Sequence, residues 1–389
     1  MSKYLKLFTN QVFVTILWFG LSFFAVLKQV LHHHYNNYLI YKYTFVDLVR
    51  QINLYAPQPR YFDDSNHYGP LFGLVIAPFT LLPDQLGCVA WVMVNAWVLY
   101  KAISMLPITT WQRNAILLIC AHELMTASYN VQFNPMMTAI IVLSFVFIRS
   151  GREFWAAALI VAGTCIKLYG VVGLAFFFFT DNKLRFLLSL AFWSVVLVLL
   201  PMVFSAPSFV MQSYYDWYVS LSEKNAVNTT SHMQDISVMG MIRRIFHYPQ
   251  LSNLLVLLPG LALFGLQYLN IKSYKVLPYQ MLILASTLLF TVIFSTGSES
   301  PTYIIAFVGV ATWYMNLERP TVSGFDIALL VFALVITSLS PSDLFPQPIN
   351  RAYIKPYALK ALPCLLIWLK IVYETLTRKF YRPPVHAVE

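Results

Sequence analysis

Long apolar stretches broken by short polar turns run through almost the whole chain. A helix needs about 20 apolar residues to cross the hydrocarbon core of a bilayer. Twelve runs approach that length, at 11–28, 69–83, 86–107, 114–130, 135–149, 154–180, 186–206, 251–269, 276–296, 302–317, 325–341 and 357–376. The run 154–180 is long enough for one tilted helix, or for two half-helices broken between Lys167 and Gly170. Two connections, 29–68 and 207–250, exceed any simple turn. Connections of about 40 residues in a compact protein carry function or local helices. In the first, Val46, Val49 and Leu54 recur at helical spacing among Asp47, Arg50 and Gln51, which predicts a short helix along the membrane surface.

Composition turns this pattern into a solvent argument. Of 389 residues 59% are hydrophobic and only 11% charged, against about 25% charged in an ordinary soluble chain. Mean hydropathy is +0.65. The expected fold class is an all-α membrane protein: a single integral domain over 1–389, with about twelve transmembrane helices and two large outer loops. The 26 basic and 16 acidic residues leave a net charge of +10. In a soluble protein that excess would suggest nucleic acid; here it is expected from Lys and Arg held on the cytoplasmic side. Lys3, Lys6, Lys370, Arg378, Lys379 and Arg382 place both termini in the cytoplasm of an inner-membrane protein, with 29–68 and 207–250 outside. Lys183 with Arg185, and Lys272 with Lys275, agree. Arg149 and Arg152 do not, because twelve simple crossings put them outside and only a re-entrant break at Lys167 brings them in. No small-residue cleavage site follows the first run, so it reads as a retained anchor. Cys88, Cys120, Cys165 and Cys364 lie singly in apolar stretches, without the pairing that a disulfide framework or a zinc site needs.

Polar density is highest where the first long connection meets the second run. Arg60, Asp63, Asp64, His67 and Tyr68 fall together there, at the boundary between water and lipid. A carboxylate so placed can reach a polar head group and act as a general base toward a hydroxyl within hydrogen-bond reach. The plainer alternative is a pair of solvated loop carboxylates with Arg60 as counter-ion. Lys167 lies in an otherwise apolar stretch, where an ionised group is costly unless it faces a cavity or a partner; snorkelling to an interface is the alternative. Gln132 and Asn134, just before Pro135, either line a cavity or cap a helix break. His122 and Glu123 fall within a run, but Thr126 stands where HExxH requires His, so zinc is discounted. The pair could relay protons or make an interhelical hydrogen bond. Arg243 and Arg244 suit either an anionic lipid or phosphate, or an interfacial anchor. Asn228 opens a glycosylation sequon, which matters only in a eukaryotic secretory setting.

Several short elements, in order, resemble glycosyltransferase family 87. They are Asn36-Asn37-Tyr38 with Tyr41, Asn53-Leu54-Tyr55, and His67-Tyr68-Gly69-Pro70 running into Ala77-Pro78, then Trp91 with Asn95. Gln132-Phe133-Asn134 is similar to the family's GQxN element, Arg149 to Arg152 to its basic turn, and Lys167-Leu168-Tyr169 to its LKxYP-like segment. Gln212-Ser213 and Ser298-Glu299-Ser300-Pro301 with Tyr303 continue the likeness, which spans residues 36–303. The resemblance implies a GT-C helical bundle that moves a sugar, with inversion, from a polyprenyl-phosphate donor to a hydroxyl on a lipid or glycan acceptor at the outer face, without a cofactor or a required metal. It implies a base among Asp64, Asp63 and Asn37, and substrate contacts from Lys167, Arg60, His67, Tyr68, Gln132, Asn134, Tyr169 and Glu299. One departure bears on mechanism. Family members carry an acidic base where Asn37 stands, and an amide cannot take a proton. The base is then Asp64, Asp63 or Asp47, with Asp64 favoured, or the chain is an altered or inactive branch.

Two other functions remain. A secondary transporter suits twelve runs of even parity and the His122–Glu123 pair, but such transporters show matching halves and no motif repeats between the halves here. A non-catalytic polyprenyl-lipid-binding protein is kept open by Asn37.

Overall fold

The structure is a computed structural model that describes residues 10–229, 231, 233–317 and 322–380. The two ends of the chain, with Lys3, Lys6 and Arg382, lie outside the described residues. Every regular element among them is helical.

The first helix, α1 (Gln11–Leu31), starts at Asn10, whose side chain accepts from the backbone N–H of Val12 and Phe13. α2 (Asn36–Arg50) follows in the first long connection. It meets the expectation of a helix there but not the expected sides at two positions: Asp47 is buried beside Leu48, and Val49 is exposed beside Arg50. Burial raises the Asp47 carboxyl above its ordinary value, opposed by the hydrogen bond from Gln58 Nε2 at 2.6 Å.

The run 69–83 does not form a span. Its helix α3 (Phe72–Thr80) has nine residues, about 14 Å at 1.5 Å per residue. Lys42 Nζ meets Asp84 Oδ1 at 2.6 Å, and Tyr38 donates to the Phe79 carbonyl at 2.9 Å. The C-terminal end of α3 is thereby held against α2. Pro78 and Pro83 stop the helix from continuing.

α4 (Asp84–Ser104), α5 (Thr110–Tyr129) and α6 (Asn134–Arg149) then run up and down beside α1. Thr15 and Tyr100 share a 2.9 Å hydrogen bond near one end of α1, and Gln29 donates to the Tyr129 carbonyl near the other. α1 is therefore antiparallel to α4 and parallel to α5, whose last turn meets the last turn of α1.

The run 154–180 breaks at Lys167. α7 (Glu153–Ile166) is followed by a 3₁₀ segment, Leu168–Phe179, and Lys167 between them has an extended backbone (φ −148°, ψ 121°). The two legs fold back on each other as a hairpin. A Cβ on Gly170 would sit 2.2 Å from the Thr164 backbone nitrogen, so only glycine allows that approach. Thr180 donates to Glu153 Oε1 at 3.1 Å, closing the foot of the hairpin. Arg149 and Arg152 lie at the same foot of the hairpin as Lys183 and Arg185, while Lys167 is the tip.

α8 (Lys183–Leu199) leads to the second long connection, which holds α9 (Pro207–Asn228) and α10 (Val238–Ile245). α11 (Asn253–Leu266), α12 (Leu277–Ile293), α13 (Tyr303–Met315), α14 (Gly324–Phe332) and α15 (Ala361–Thr377) complete the bundle. Among the described residues three helical stretches are long and apolar enough to cross a membrane: Gln11–Leu31, Asp84–Ser104 and Lys183–Val203. Others are shorter apolar helices, such as Asn134–Arg149 and Leu277–Ile293. Leu184, Leu188, Phe192 and Val195 on α8, with Leu254, Leu255 and Leu258 on α11, are exposed. So large an apolar surface requires an apolar solvent or partner.

The two long connections form a joint roof over one end of the bundle. α9 packs on the first connection through Trp217 Nε1 to the His67 carbonyl (2.9 Å), His67 Nδ1 to Ser220 Oγ (2.8 Å) and Asn53 Nδ2 to Asp216 Oδ2 (3.1 Å). Leu48, Leu54 and Val210 make a small apolar core between them. Arg243 is buried and held by Asp235 (2.6 Å) and the Leu251 carbonyl, and Arg244 binds the Ser231 and Gln234 carbonyls. Both arginines thus hold the roof rather than facing lipid or phosphate.

Glu123 and His122 have structural partners. Lys360 Nζ lies 3.2 Å from Glu123 Oε1 and donates to Ser300 Oγ (3.0 Å) and the Ser300 carbonyl (3.1 Å), 4.8 Å from the Tyr303 ring centre. His122 Nδ1 meets Ser338 Oγ at 3.1 Å. Removing one partner of a buried ion pair strands the other charge, so Glu123→Ala is expected to cost about 3–5 kcal/mol. Thermal unfolding in detergent checks this, and a Glu123→Leu/Lys360→Met double variant should recover most of the loss.

Candidate functional site

A cavity of about 390 Å³ opens under the roof, where the ends of α1, α5, α7 and α12 converge. Each wall has a local cause. α5 ends in a Schellman turn: Val131 N–H bonds the Ser128 carbonyl and Gln132 N–H the Ala127 carbonyl, both at 3.0 Å. Val131 takes a left-handed conformation (φ 51°), which costs a β-branched residue about 1–3 kcal/mol. The turn brings Gln132 to the cavity wall and sets Asn134 at the start of α6, where Pro135 opens the helix.

The hairpin tip supplies the cation. Lys167 Nζ donates to Asn134 Oδ1 at 2.9 Å and lies 4.7 Å from the Tyr169 ring centre and 5.9 Å from that of Tyr68. Asn134 is completed by its own donation to the Pro301 carbonyl at 3.2 Å. No carboxylate among the described residues forms an ion pair with Lys167. An ammonium has three N–H donors, so Lys167 keeps capacity for an anion.

Gly69 seats the loop above it. Its N–H bonds the Ile166 carbonyl at 3.0 Å, and a Cβ there would meet the Cys165 carbonyl oxygen at 2.0 Å and the Trp217 ring at 3.0 Å. Gly69→Ala is expected to push the loop from the hairpin tip, lowering the thermal midpoint and removing most activity; overpacking against backbone costs about 1–3 kcal/mol. A thermal shift beside an activity assay checks both.

Carboxylates stand at two depths. Asp64 is at the mouth with its side chain 61% exposed; Lys224 Nζ is 3.6 Å from Oδ2 and His67 Nε2 3.9 Å from Oδ1. Its backbone is left-handed (φ 73°), a conformation Asp tolerates. Glu299 lies deeper, in the loop between α12 and α13. Burial holds its carboxyl above the ordinary carboxylate range, against the pull of Lys167 and Lys224.

The cavity brings together Asn37, Asp64, His67, Tyr68, Gln132, Lys167, Tyr169 and Glu299, with Asn134 directly behind Lys167. Asn37 donates to the Asn130 carbonyl at 2.8 Å. Two expected residues are elsewhere. Asp63 is exposed, its backbone fastened in both directions by the Asn36 side chain, at 2.7 and 2.8 Å. Arg60 is exposed, 5.7 Å from the Tyr61 ring centre. Short loop side chains beside fixed backbone cannot all face one way, and adjacency to Asp64 in sequence misleads for both.

The model of Glycosyltransferase family 87 matches residues 66–296, more than half of the 389-residue chain. The chain belongs to glycosyltransferase family 87. Neither a curated protein nor a solved structure matches it. As a membrane glycosyltransferase it handles a sugar donor and an acceptor, and the cavity lies largely within the matched span. The transporter alternative is set aside by this membership and by the occupied partners of His122 and Glu123.

The family 87 cavity also contains residues that the sequence reading passed over. Trp217, Leu221, Lys224, Asn225 and Asn228 line it from α9. Their spacing of four, three, one and three is one face of a helix, a readable signal. Asn228 is buried there, which removes it from consideration as a glycosylation acceptor; Thr230 of the sequon lies outside the described residues. An open groove of about 430 Å³ between α7 and α8, at the hairpin foot, has Arg185 as its one ionisable lining residue and includes none of these groups.

Proposed function

We propose that this family 87 glycosyltransferase moves a sugar from a polyprenyl phosphate to a hydroxyl acceptor on the outer face of the inner membrane, with inversion. The observation that carries the reading is Lys167: an ammonium without a carboxylate partner, steadied by Asn134 and two tyrosine rings, facing a cavity at the end of an apolar bundle. A lipid-linked phosphate brings the anion that Lys167 lacks and a chain for the apolar surroundings.

In this reading the helical segments make twelve passes of GT-C type. α1, α4, α5, α6, α7, the 3₁₀ leg, α8 and α11 to α15 alternate in direction, with α14 extended through Leu339. Arg149, Arg152, Lys183, Arg185, Lys272 and Lys275 gather opposite the roof, which supports a cytoplasmic location for that end.

The acceptor oxygen attacks the anomeric carbon from the side opposite the phosphate. The carbon–oxygen bond to the sugar forms as the bond to the phosphate oxygen breaks, and the phosphate leaves with the bonding pair. Lys167 stabilises the charge that grows on it. Asp64 accepts the hydroxyl proton, because it is the lining carboxylate open to an acceptor arriving from water. Glu299, Gln132 and Asn37 hold sugar hydroxyls, and Tyr68 and Tyr169 bound the sugar's faces.

The test is purified protein in liposomes offered radiolabelled polyprenyl-phosphate sugars or nucleotide sugars. Label is expected to move only from the lipid-linked donors; transfer from a nucleotide sugar alone would refute the reading.

A further inference from the structure

A second cavity, of about 370 Å³, lies on the water side of the first. The two share a wall made of Asp64, Ser65, His67 and Lys224. Beyond that wall the second cavity is lined by Asn53, Tyr55 and Ala56 from the first connection and by Asp216, Ser220 and Glu223 from α9. It therefore exists only because the two long connections dock on each other.

The shared wall has an unused acceptor. Ser220 Oγ donates to the Asn66 carbonyl at 3.2 Å and contacts His67 Nδ1 at 2.8 Å. A hydroxyl has one proton, so both contacts are satisfied only if Nδ1 carries the hydrogen. Nε2 is then a lone pair, and it is buried without a partner. Asp64 Oδ1 lies 3.9 Å from it, also an acceptor and too far for a hydrogen bond. Two acceptors facing one gap call for a donor between them, and a hydroxyl group is one. Burial, then Lys224, lower the imidazole to about 4, with Lys167 adding to this and Asp64 opposing it, so it is neutral at pH 7.

The linings of the two cavities differ in what they would bind. The first has Lys167 for a phosphate. The second has three carboxylates, Asp64, Asp216 and Glu223, facing Lys224 as its sole ammonium, which disfavours an anion. Asp216 is held in place by Asn53 and by Gln212 (2.8 Å), while Glu223 is exposed and unpaired among the described residues. One fixed carboxylate, one free carboxylate and an amide beside a tyrosine ring suit the hydroxyls and faces of a sugar.

Resting on the donor reading above, we propose that the second cavity is the acceptor subsite for a neutral, polyhydroxylated glycan end, with its reacting hydroxyl directed through the shared wall between His67 Nε2 and Asp64 Oδ1. His67 is a positioning residue in this arrangement, orienting the hydroxyl whose proton passes to Asp64 as the glycosidic bond forms.

The test separates the subsite from the donor reading by site-directed labelling. In a Cys165→Ser background, Leu221→Cys reports on the first cavity and Ala56→Cys on the second, with Val227→Cys as an independent reporter if Ala56→Cys folds poorly. A water-soluble maleimide is applied with undecaprenyl phosphate or with a panel of methyl hexopyranosides and methyl pentofuranosides. The expected result is protection of Leu221→Cys by the lipid phosphate and of Ala56→Cys by at least one glycoside. Adding Asp216→Asn or Glu223→Gln should weaken the glycoside effect about tenfold and leave the lipid effect unchanged. Lipid protection of Leu221→Cys with no glycoside protecting Ala56→Cys or Val227→Cys, or with glycosides protecting Leu221→Cys instead, would overturn the subsite alone. Failure of undecaprenyl phosphate to protect Leu221→Cys would overturn the donor reading.

Discussion

Replacing Lys167 with alanine is expected to slow sugar transfer from a polyprenyl-phosphate donor by about 10²–10³-fold, the usual loss when a group aimed at developing charge is removed. The ammonium contacts an amide oxygen, Asn134 Oδ1 at 2.9 Å, and two aromatic rings, while Glu299 attracts it from beyond ion-pair distance. None of these forms an ion pair with it. A phosphate entering the cavity finds a charge already desolvated and already oriented, so little reorganisation is needed as the leaving group gains charge. Lys167→Arg keeps the charge but must fit a planar guanidinium between Tyr68 and Tyr169, and it should recover only part of the rate. Asn134→Ala should act in the same direction through loss of the one hydrogen bond that orients Nζ. Initial rates in liposomes, with the thermal midpoint followed in parallel, separate these effects from unfolding.

Asp64→Asn is expected to lower the turnover rate by about 10²–10⁴-fold, the range for loss of a positioned general base. The substitution is a clean one. Asn tolerates the left-handed backbone that Asp64 adopts, and the Ser65 N–H can still bond to a side-chain oxygen, as it does to Oδ1 at 2.8 Å. Asp63→Asn is the internal control, since that side chain does not line the cavity, and it should leave the rate unchanged. Equal loss in the two variants would move the base role away from Asp64. Loss in neither would turn attention to Glu299.

Much of this site was legible before any coordinates because the cost of polar groups in lipid is severe. Lys167, Gln132 and Asn134 stood out as groups that an apolar chain does not carry without reason, whereas Glu299 entered only through the family resemblance. The break at Lys167 was readable as one of two alternatives, since the run 154–180 suited either one tilted helix or two half-helices broken between Lys167 and Gly170. Direction was not readable. That 69–83 would form only a nine-residue helix beside α2 was not readable, because the contacts that tie it there, Lys42 with Asp84 and Tyr38 with Phe79, join residues 42 and 41 positions apart. The choice between Asp63 and Asp64 depended on which of two adjacent side chains the Asn36 clamp turned outward. Arg243 was left between an anionic-lipid or phosphate ligand and an interfacial anchor, because its partner, Asp235, lay in a loop without periodicity. The contribution of α9 was missed for a different reason. Its lining face mixes Trp217, Leu221 and Lys224, so hydropathy alone marks neither a core stripe nor a polar one.

The most direct measurement is a cryo-electron microscopy map of the protein with undecaprenyl phosphate bound. The account predicts phosphate density within about 3 Å of Lys167 Nζ, the charge-assisted hydrogen-bond distance, with the prenyl chain leaving the cavity toward the apolar bundle surface. Phosphate density elsewhere, with Lys167 closed off by repacked side chains, would contradict it.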